Sequence, residues 1–105
     1  MRTTAKHTIA GALFATVAAA MAGCGGVAYS VRINSVEAKV EKAKELGAEA
    51  NSPYEFYSAK ERVDKAREEA ARADYGDALD LIDEAETFAD QAINQSSAVR
   101  KGAGR

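Results

Sequence analysis

The sequence predicts an all-α fold: an antiparallel helical hairpin preceded by a shorter helix, which becomes a small three-helix bundle if the first helix folds back. Two apolar stripes with helical spacing follow one another, and a break in phase separates them. A shorter stripe precedes both, and no alternating apolar and polar stretch is long enough to compete as a strand. Residues 34–94 are therefore assigned to one helical domain.

Residues 1–23 have the composition of a secretory signal peptide. Arg2 and Lys6 give a basic start, and residues 8–20 are uncharged and mostly apolar. This apolar run of 13 residues is shorter than the stretch of about 20 that spans a bilayer as a helix. A permanent transmembrane helix is therefore the weaker interpretation.

The only cysteine of the chain, Cys24, directly follows this segment. The sequence Met21-Ala22-Gly23-Cys24 resembles a bacterial lipobox, in which small residues precede a cysteine that is lipidated and becomes the mature N-terminus; Met21 stands where leucine is usual. A lone thiol with no mature histidine forms neither an intramolecular disulfide, nor a metal site, nor a Cys-His pair. We therefore predict lipid attachment and membrane anchoring at Cys24.

Two alternatives to lipidation remain at this point. Residues 20–22 form an A-x-A pattern, so ordinary cleavage before Gly23 would release a soluble protein. Alternatively, the thiol is incidental and lies near a frayed terminus. The mass of the mature protein distinguishes lipidation from both.

The mature chain is small and acidic. Cleavage before Cys24 removes 23 of the 105 residues and leaves 82; it removes two of the 14 basic residues and none of the 16 acidic ones, which leaves a net charge of −4. This charge argues against a nucleic-acid partner. The apolar residues are mostly alanine, so we expect a thin core. The single histidine, His7, lies in the signal segment.

The first helix is predicted to begin at Asn34, after a lipid anchor and flexible start over 24–33. Asn34 can cap the helix, with Glu37 three residues later, and Gly47 supplies the stop. Residues 47–51 are predicted to be a loop. The apolar stripe consists of Ile33, Val36, Val40, Ala43 and Leu46.

The second helix begins with the clearest local signal in the chain. Ser52 can cap, Pro53 suits the first helical position, and Glu55 can complete a capping box. The residues that follow with spacings of three and four form one face. They are Phe56, Ala59, Val63, Ala66, Ala70 and Ala73.

A phase break at 73–74 predicts a tight turn rather than one continuous coiled coil. Continuing the previous stripe would place Asp77, Asp80 and Glu84 in the seam. The apolar series restarts instead, and Asp74 can cap the new helix. The new series is Tyr75, Ala78, Ile82, Ala85, Ala89 and Ala92. Residues 95–105 lose the pattern and are predicted to be a flexible tail.

The turn and third helix resemble a tetratricopeptide repeat in the segment A-D-Y-G-D-A-L at 73–79, followed by Ile82 and Ala85. The preceding helix matches less well, since Arg62, Lys65 and Glu69 stand where large apolar residues are usual. Only one repeat is present, whereas such arrays need about three.

A closer similarity covers residues 47–92. It rests on P-Y-E-F-Y-S-A-K at 53–60, V-D-K-A at 63–66, D-Y at 74–75, and Ala78. In these residues the chain resembles the bacterial envelope lipoproteins grouped as domain of unknown function 4398, which are short helical lipoproteins of Gram-negative bacteria without established chemistry. The resemblance implies envelope localisation and a helical fold, and it implies no catalytic residue.

Catalytic and metal sites are not predicted. Carboxylates spaced by three on a helix fan over about 180°, whereas a hard cation needs six or more converging oxygens. The serines lack a histidine base, so we expect no enzyme, no cofactor and no small-molecule substrate. The residues concerned are Asp74, Asp77, Asp80, Asp83, Ser58, Ser96 and Ser97.

Two groups of large side chains are candidate interaction surfaces. Tyr54 and Tyr57 are an i,i+3 pair about 150° from the apolar stripe of the second helix. Leu81 and Phe88 widen the apolar arc of the third helix beyond what one neighbour covers. Either the first helix folds back and buries both groups, or one is left for an envelope protein or a second copy.

The leading functional prediction is a lipid-anchored structural or interaction protein of the cell envelope, on the periplasmic face of the outer membrane. The outer membrane is implied by the resemblance, because Gly25 is not the aspartate that retains many enteric lipoproteins at the inner membrane. The alternative is a soluble periplasmic adaptor that binds peptides or proteins as tetratricopeptide-like modules do. An enzyme is third.

Overall fold

The computed structural model describes residues 25–104, and the N-terminal segment through Cys24 lies outside them. This part of the chain contains four helices and no strand, which confirms the all-α prediction. None of its helices is long and apolar enough to span a membrane. The helices are α1 (residues 25–45), α2 (Ala48–Asn51), α3 (Pro53–Ala71) and α4 (Tyr75–Ala103).

The helices α3 and α4 form the predicted antiparallel hairpin. Ser52, at the start of α3, is hydrogen-bonded to Gln95 of α4. In the middle of α3, Arg62 pairs with Glu84 of α4. The number of residues between the two partners falls from the Ser52 pair to the Arg62 pair, which is closer to the turn, as antiparallel packing requires. The long-range contacts therefore exclude a continuous coiled coil.

The first helix packs along both arms of the hairpin and completes a three-helix bundle. It runs parallel to α4, since Tyr29 contacts Tyr75 at a ring-centroid distance of 6.0 Å and Lys39 reaches Asp90. It runs antiparallel to α3, where Glu37 pairs with Arg67. The beginning of α1 therefore lies beside the α3–α4 turn.

The core is built largely from alanine, as the composition predicts. Alanine at the seam lets helix backbones approach closely, and only a few larger side chains fill the space between them. The two clusters of buried residues are Ile33, Val36, Val63, Ala66, Ala78, Ile82 and Ala85, and Ala43, Ala48, Phe56 and Ala92. The predicted faces of the second and third helices are thus confirmed, except for Ala73.

The turn between α3 and α4 explains that exception. Ala73 has a φ of 60°, in the left-handed region, and α3 ends at Ala71. The amide of Asp74 donates to the carbonyl of Glu69 at 2.9 Å, and the amide of Ala73 donates to that of Ala70 at 2.9 Å. This is a Schellman ending with alanine at the position that usually carries glycine. Asp74 makes no side-chain cap.

Two predicted boundaries of the bundle are wrong. Residues 25–33 are helical rather than a flexible start, because Tyr29 and both glycines at 25–26 pack against Tyr75. Helix α4 continues through the predicted tail to Ala103, because Ser96 extends the buried stripe and is itself fully buried. The apolar stripe in the sequence stops before Ser96 because serine is polar, although the fold buries this position.

The connection from α1 to α3 is partly as predicted. Gly47 has a φ of 85° and ends α1, which confirms the glycine stop. Residues 48–51 form one helical turn instead of a loop, because Ala48 is buried in the second core cluster. Pro53 occupies the first turn of α3, but Ser52 makes no side-chain bond to the backbone of that helix.

Candidate interaction surface

The structure brings two of the predicted surface residues together. The rings of Tyr54 and Phe88 meet edge to face, with centroids 5.9 Å apart. Tyr57 instead packs edge to face on Phe56 at 5.1 Å, and Leu81 packs against the first core cluster. The two predicted groups are therefore not separate surfaces, because Tyr54 crosses from α3 to α4.

Arg62 completes the environment of Phe88. Its guanidinium carbon lies 4.4 Å from the centroid of the Phe88 ring, within the range of a cation–π interaction. The same guanidinium donates to the Glu84 carboxylate at 2.8 Å and to the Ser58 carbonyl at 3.2 Å. In the sequence, Arg62 differs only in departing from the tetratricopeptide pattern, and nothing local indicates its contact with Phe88. We call Tyr54, Arg62 and Phe88 the aromatic patch.

The two predicted tyrosines of α3 remain accessible after the bundle forms, whereas Arg62 and Phe88 are half-buried. Tyr54 is 70% exposed and Tyr57 is 47% exposed. The account in which α1 buries both tyrosines is therefore wrong. The physical reason is that α1 packs on the stripe side of α3, through Glu37 and Arg67, whereas the tyrosines lie on the opposite side.

A polar cluster borders the aromatic patch at the start of α3. The Ser52 hydroxyl, almost fully buried, lies 3.0 Å from the Glu55 carboxylate and 2.6 Å from the Gln95 side-chain oxygen. The Gln95 amide donates to Glu55 at 3.1 Å. This bond, followed by the backbone amide of Glu55 and the Ser52 hydroxyl, lowers the pKa of Glu55. Residues predicted as a local capping box thus join α3 to α4.

Ion pairs join α1 to α4, away from the aromatic patch. Lys39 binds Glu86 at 2.7 Å and Asp90 at 3.0 Å, while Arg32 pairs with Asp83 and Glu86. The hydrogen bond between Lys39 and Glu86 is the main cause of two pKa shifts. It lowers the pKa of Glu86 and raises the pKa of Lys39. A thin apolar interface is thereby supported by a charge network.

A groove of about 230 Å³ lies between α1 and α3. Val40 and Val63 supply its apolar lining, and Lys60 is among its charged lining residues. The other charged residues along it are Glu37, Glu41, Asp64 and Arg67. The groove thus combines a small apolar floor with charges of both signs, two of which, Glu37 and Arg67, pair with each other.

Three carboxylates meet at the α3–α4 turn. Oxygens of Glu69, Asp74 and Asp77 lie within 4.8 Å of one another. The sequence series included the two aspartates but not Glu69, which the end of α3 brings to them. Three ligands are half of what a hard cation requires, and Glu69 also lies 3.6 Å from Lys65. The cluster is a solvated acidic end of the bundle.

No protein-family model, no curated protein and no solved structure matches this chain. The similarity to envelope lipoproteins and to tetratricopeptide repeats therefore stays a prediction from the residues quoted above.

Proposed function

We propose that this chain is a lipid-anchored protein of the bacterial cell envelope with a structural or protein-interaction role and no catalytic activity. The aromatic patch is the surface through which it contacts its partner, which is another envelope protein or a second copy. The observation that carries the proposal is Tyr54, which is 70% exposed although its ring is held against Phe88.

The geometry of the aromatic patch supports this role. Tyrosine and arginine are enriched among the residues that dominate binding energy in interfaces. Tyr54 and Arg62 are both held in place by contacts with Phe88, so binding immobilises fewer freely rotating side chains. A preorganised aromatic surface is costly to expose and suits a specific partner.

The N-terminal sequence supports the anchored part of the proposal. Residues 1–23 have the pattern of a signal peptide, and Cys24 stands in a lipobox-like context. Two or more acyl chains give stable attachment, because each buried methylene contributes about 0.8 kcal/mol. We expect the mature protein to carry the mass of these chains on Cys24 and to sediment with membranes.

Mass spectrometry of the native protein tests the anchor. Cys24→Ser should remove the added mass and move the chain to the soluble periplasmic fraction, or leave it unprocessed. A native protein that begins at Gly23 with an unmodified thiol and is wholly soluble would contradict the anchored proposal.

Crosslinking in intact cells tests the aromatic patch. Tyr54→Ala should abolish the crosslinked products while leaving the melting temperature nearly unchanged, because Tyr54 is mostly exposed. Glu61→Ala is the matched control, since it truncates another exposed side chain of α3. Unchanged crosslinks in the Tyr54 variant would assign the partner to another surface.

A second candidate function is a soluble periplasmic adaptor that binds peptides. The groove between α1 and α3 favours it, because Val40 and Val63 offer apolar contacts between charged side chains. Lys60 lines the groove and is exposed, so Lys60→Glu should weaken peptide binding with little loss of stability. This candidate additionally requires the unmodified, soluble form of the protein in cells.

A further inference from the structure

The outer surface of α1 carries no charged side chain over its first half. Every exposed residue between positions 27 and 38 is uncharged. Val27 is 66% exposed and Val31 is 65% exposed, although both are large apolar residues. Asn34, Ser35 and Ala38 continue the same side of the helix, since all five lie within about 100° of rotation. We call these five residues the α1 outer face.

The charged residues in this stretch of α1 are used inside the bundle. Arg32 pairs with Asp83 of α4, and Glu37 pairs with Arg67 of α3. They therefore point to either side of the α1 outer face rather than onto it. The first half of α1 therefore has charged side chains on its flanks, where they bind α3 and α4, and none on the α1 outer face.

The α3–α4 turn lies beside the first half of α1, and near this turn the outer surfaces of α3 and α4 are charged. On α3 the exposed residues opposite the stripe include Glu61, Lys65 and Glu68, and on α4 they include Asp80 and Glu84. A helix that faces water on its outer side normally carries such residues. The α1 outer face is thus the exception at this end of the bundle, whereas Tyr54, Tyr57 and Val99 are exposed toward the other end. Its chemistry fits a less polar neighbour.

Only Gly25 and Gly26 separate Val27 from Cys24 in the sequence, and both glycines belong to α1. A Cβ atom on Gly25 would lie 3.3 Å from the Cβ of Tyr75, and one on Gly26 would lie 3.4 Å from the Tyr75 hydroxyl oxygen. The two glycines therefore allow α1 to pack on α4 from the residue that directly follows Cys24. No unstructured linker separates Gly25 from the bundle.

The distance of the α1 outer face from Gly25 along the helix is comparable with the thickness of a lipid headgroup layer. Val27 lies about 3 Å and Val31 about 9 Å beyond Gly25 along the helix axis. The headgroup region of one leaflet is about 5–7 Å thick. A lipid on Cys24 would therefore place Val27 in this layer, and a tilt of the bundle toward α1 would bring in the rest of the face.

We propose that the α1 outer face lies on the lipid surface and sets the orientation of the bundle. This inference rests on the proposed anchoring at Cys24. The occupant is the lipid surface, because the face is continuous with the anchored residue and lacks the charges that favour water. In this orientation the aromatic patch faces away from the bilayer, since it lies on the side of α3 and α4 that α1 leaves uncovered.

The test uses the lipidated protein in phosphatidylcholine vesicles. Acylation blocks Cys24, so a cysteine introduced by Val31→Cys carries a polarity-sensitive fluorophore at one position. Glu61→Cys is the matched control on the outer surface of α3. We expect a blue-shifted emission that spin-labelled lipids quench at position 31, and water-like, unquenched emission at position 61.

Water-like emission at both positions in protein that remains vesicle-bound would overturn the orientation and leave the anchoring intact. A mass that shows unmodified Cys24 would overturn both. The Cys24→Ser form of the Val31→Cys protein, without vesicles, tests for a second copy. A blue shift there that grows with protein concentration would assign the face to self-association and contradict a lipid occupant.

Discussion

Replacing Ala73 with glycine should stabilise the bundle, although the substitution removes a methyl group and usually weakens helical proteins. Ala73 is exposed and occupies the left-handed region with a φ of 60°. That conformation costs an L-residue about 1–2 kcal/mol, and glycine adopts it without this penalty. The amide bonds from Ala73 and Asp74 to the end of α3 are backbone bonds, so the variant keeps them.

The expected gain is smaller than the strain released. Glycine loses more conformational entropy on folding, which offsets about 0.5–1 kcal/mol of the benefit. A net stabilisation of about 0.5–1 kcal/mol remains. For a domain of this size, about 1 kcal/mol corresponds to a shift of 4–8 °C, so we expect the melting temperature to rise by about 2–8 °C.

Thermal unfolding followed by circular dichroism, on a soluble Cys24→Ser form, measures the shift. Ala38→Gly is the matched control, because Ala38 is also exposed but lies within α1. Glycine there should destabilise by about 1 kcal/mol. An Ala73→Gly variant that melts as early as this control would refute the left-handed turn and favour a helix that continues through residues 72–74.

Two further substitutions test buried and paired polar groups. Ser96→Ala should raise the free energy of unfolding by about 1–3 kcal/mol, because the Ser96 hydroxyl is fully buried without a hydrogen-bond partner in the described part of the chain. Denaturant unfolding measures this change. A lower free energy of unfolding in the variant would mean that the hydroxyl is hydrogen-bonded. The ion pairs of Glu86 should stabilise the bundle fully above its ordinary pKa of 4.5 and lose this effect as the pH falls through the lowered pKa. Glu86→Gln should therefore flatten the fall in melting temperature below pH 4.5, and an unchanged slope would exclude this carboxylate as a cause.

The bundle places its two unusual surfaces on different sides. The α1 outer face belongs to the helix that follows Cys24, and the aromatic patch belongs to the part of the hairpin that α1 does not cover. The proposed anchoring and the proposed partner binding need two separate surfaces. The arrangement therefore allows both proposals to hold at once, and the labelling and crosslinking experiments test them separately.

Local patterns predicted most of the hairpin. The stripe behind Phe56 and the series from Tyr75 to Ala92 identify the buried faces, because helical periodicity relates residues three and four apart. The phase break located the turn for the same reason. The start of α1 was missed because its helical signal is weak: two glycines lead it, and only packing on Tyr75 explains them.

The aromatic patch depended on information that the sequence does not carry locally. Tyr54 and Phe88 were both identified as candidates, but 34 positions separate them along the chain. Arg62 was not identified, because its role depends on which α4 residue lies opposite it. The sequence by itself determined the two helices of the hairpin up to residue 94, their buried faces and the position of the turn, since these follow from spacing within one segment. Only the tertiary structure decided that Tyr54, Arg62 and Phe88 form one surface and that α1 leaves it open, because the rotation and height of one helix against another set those contacts.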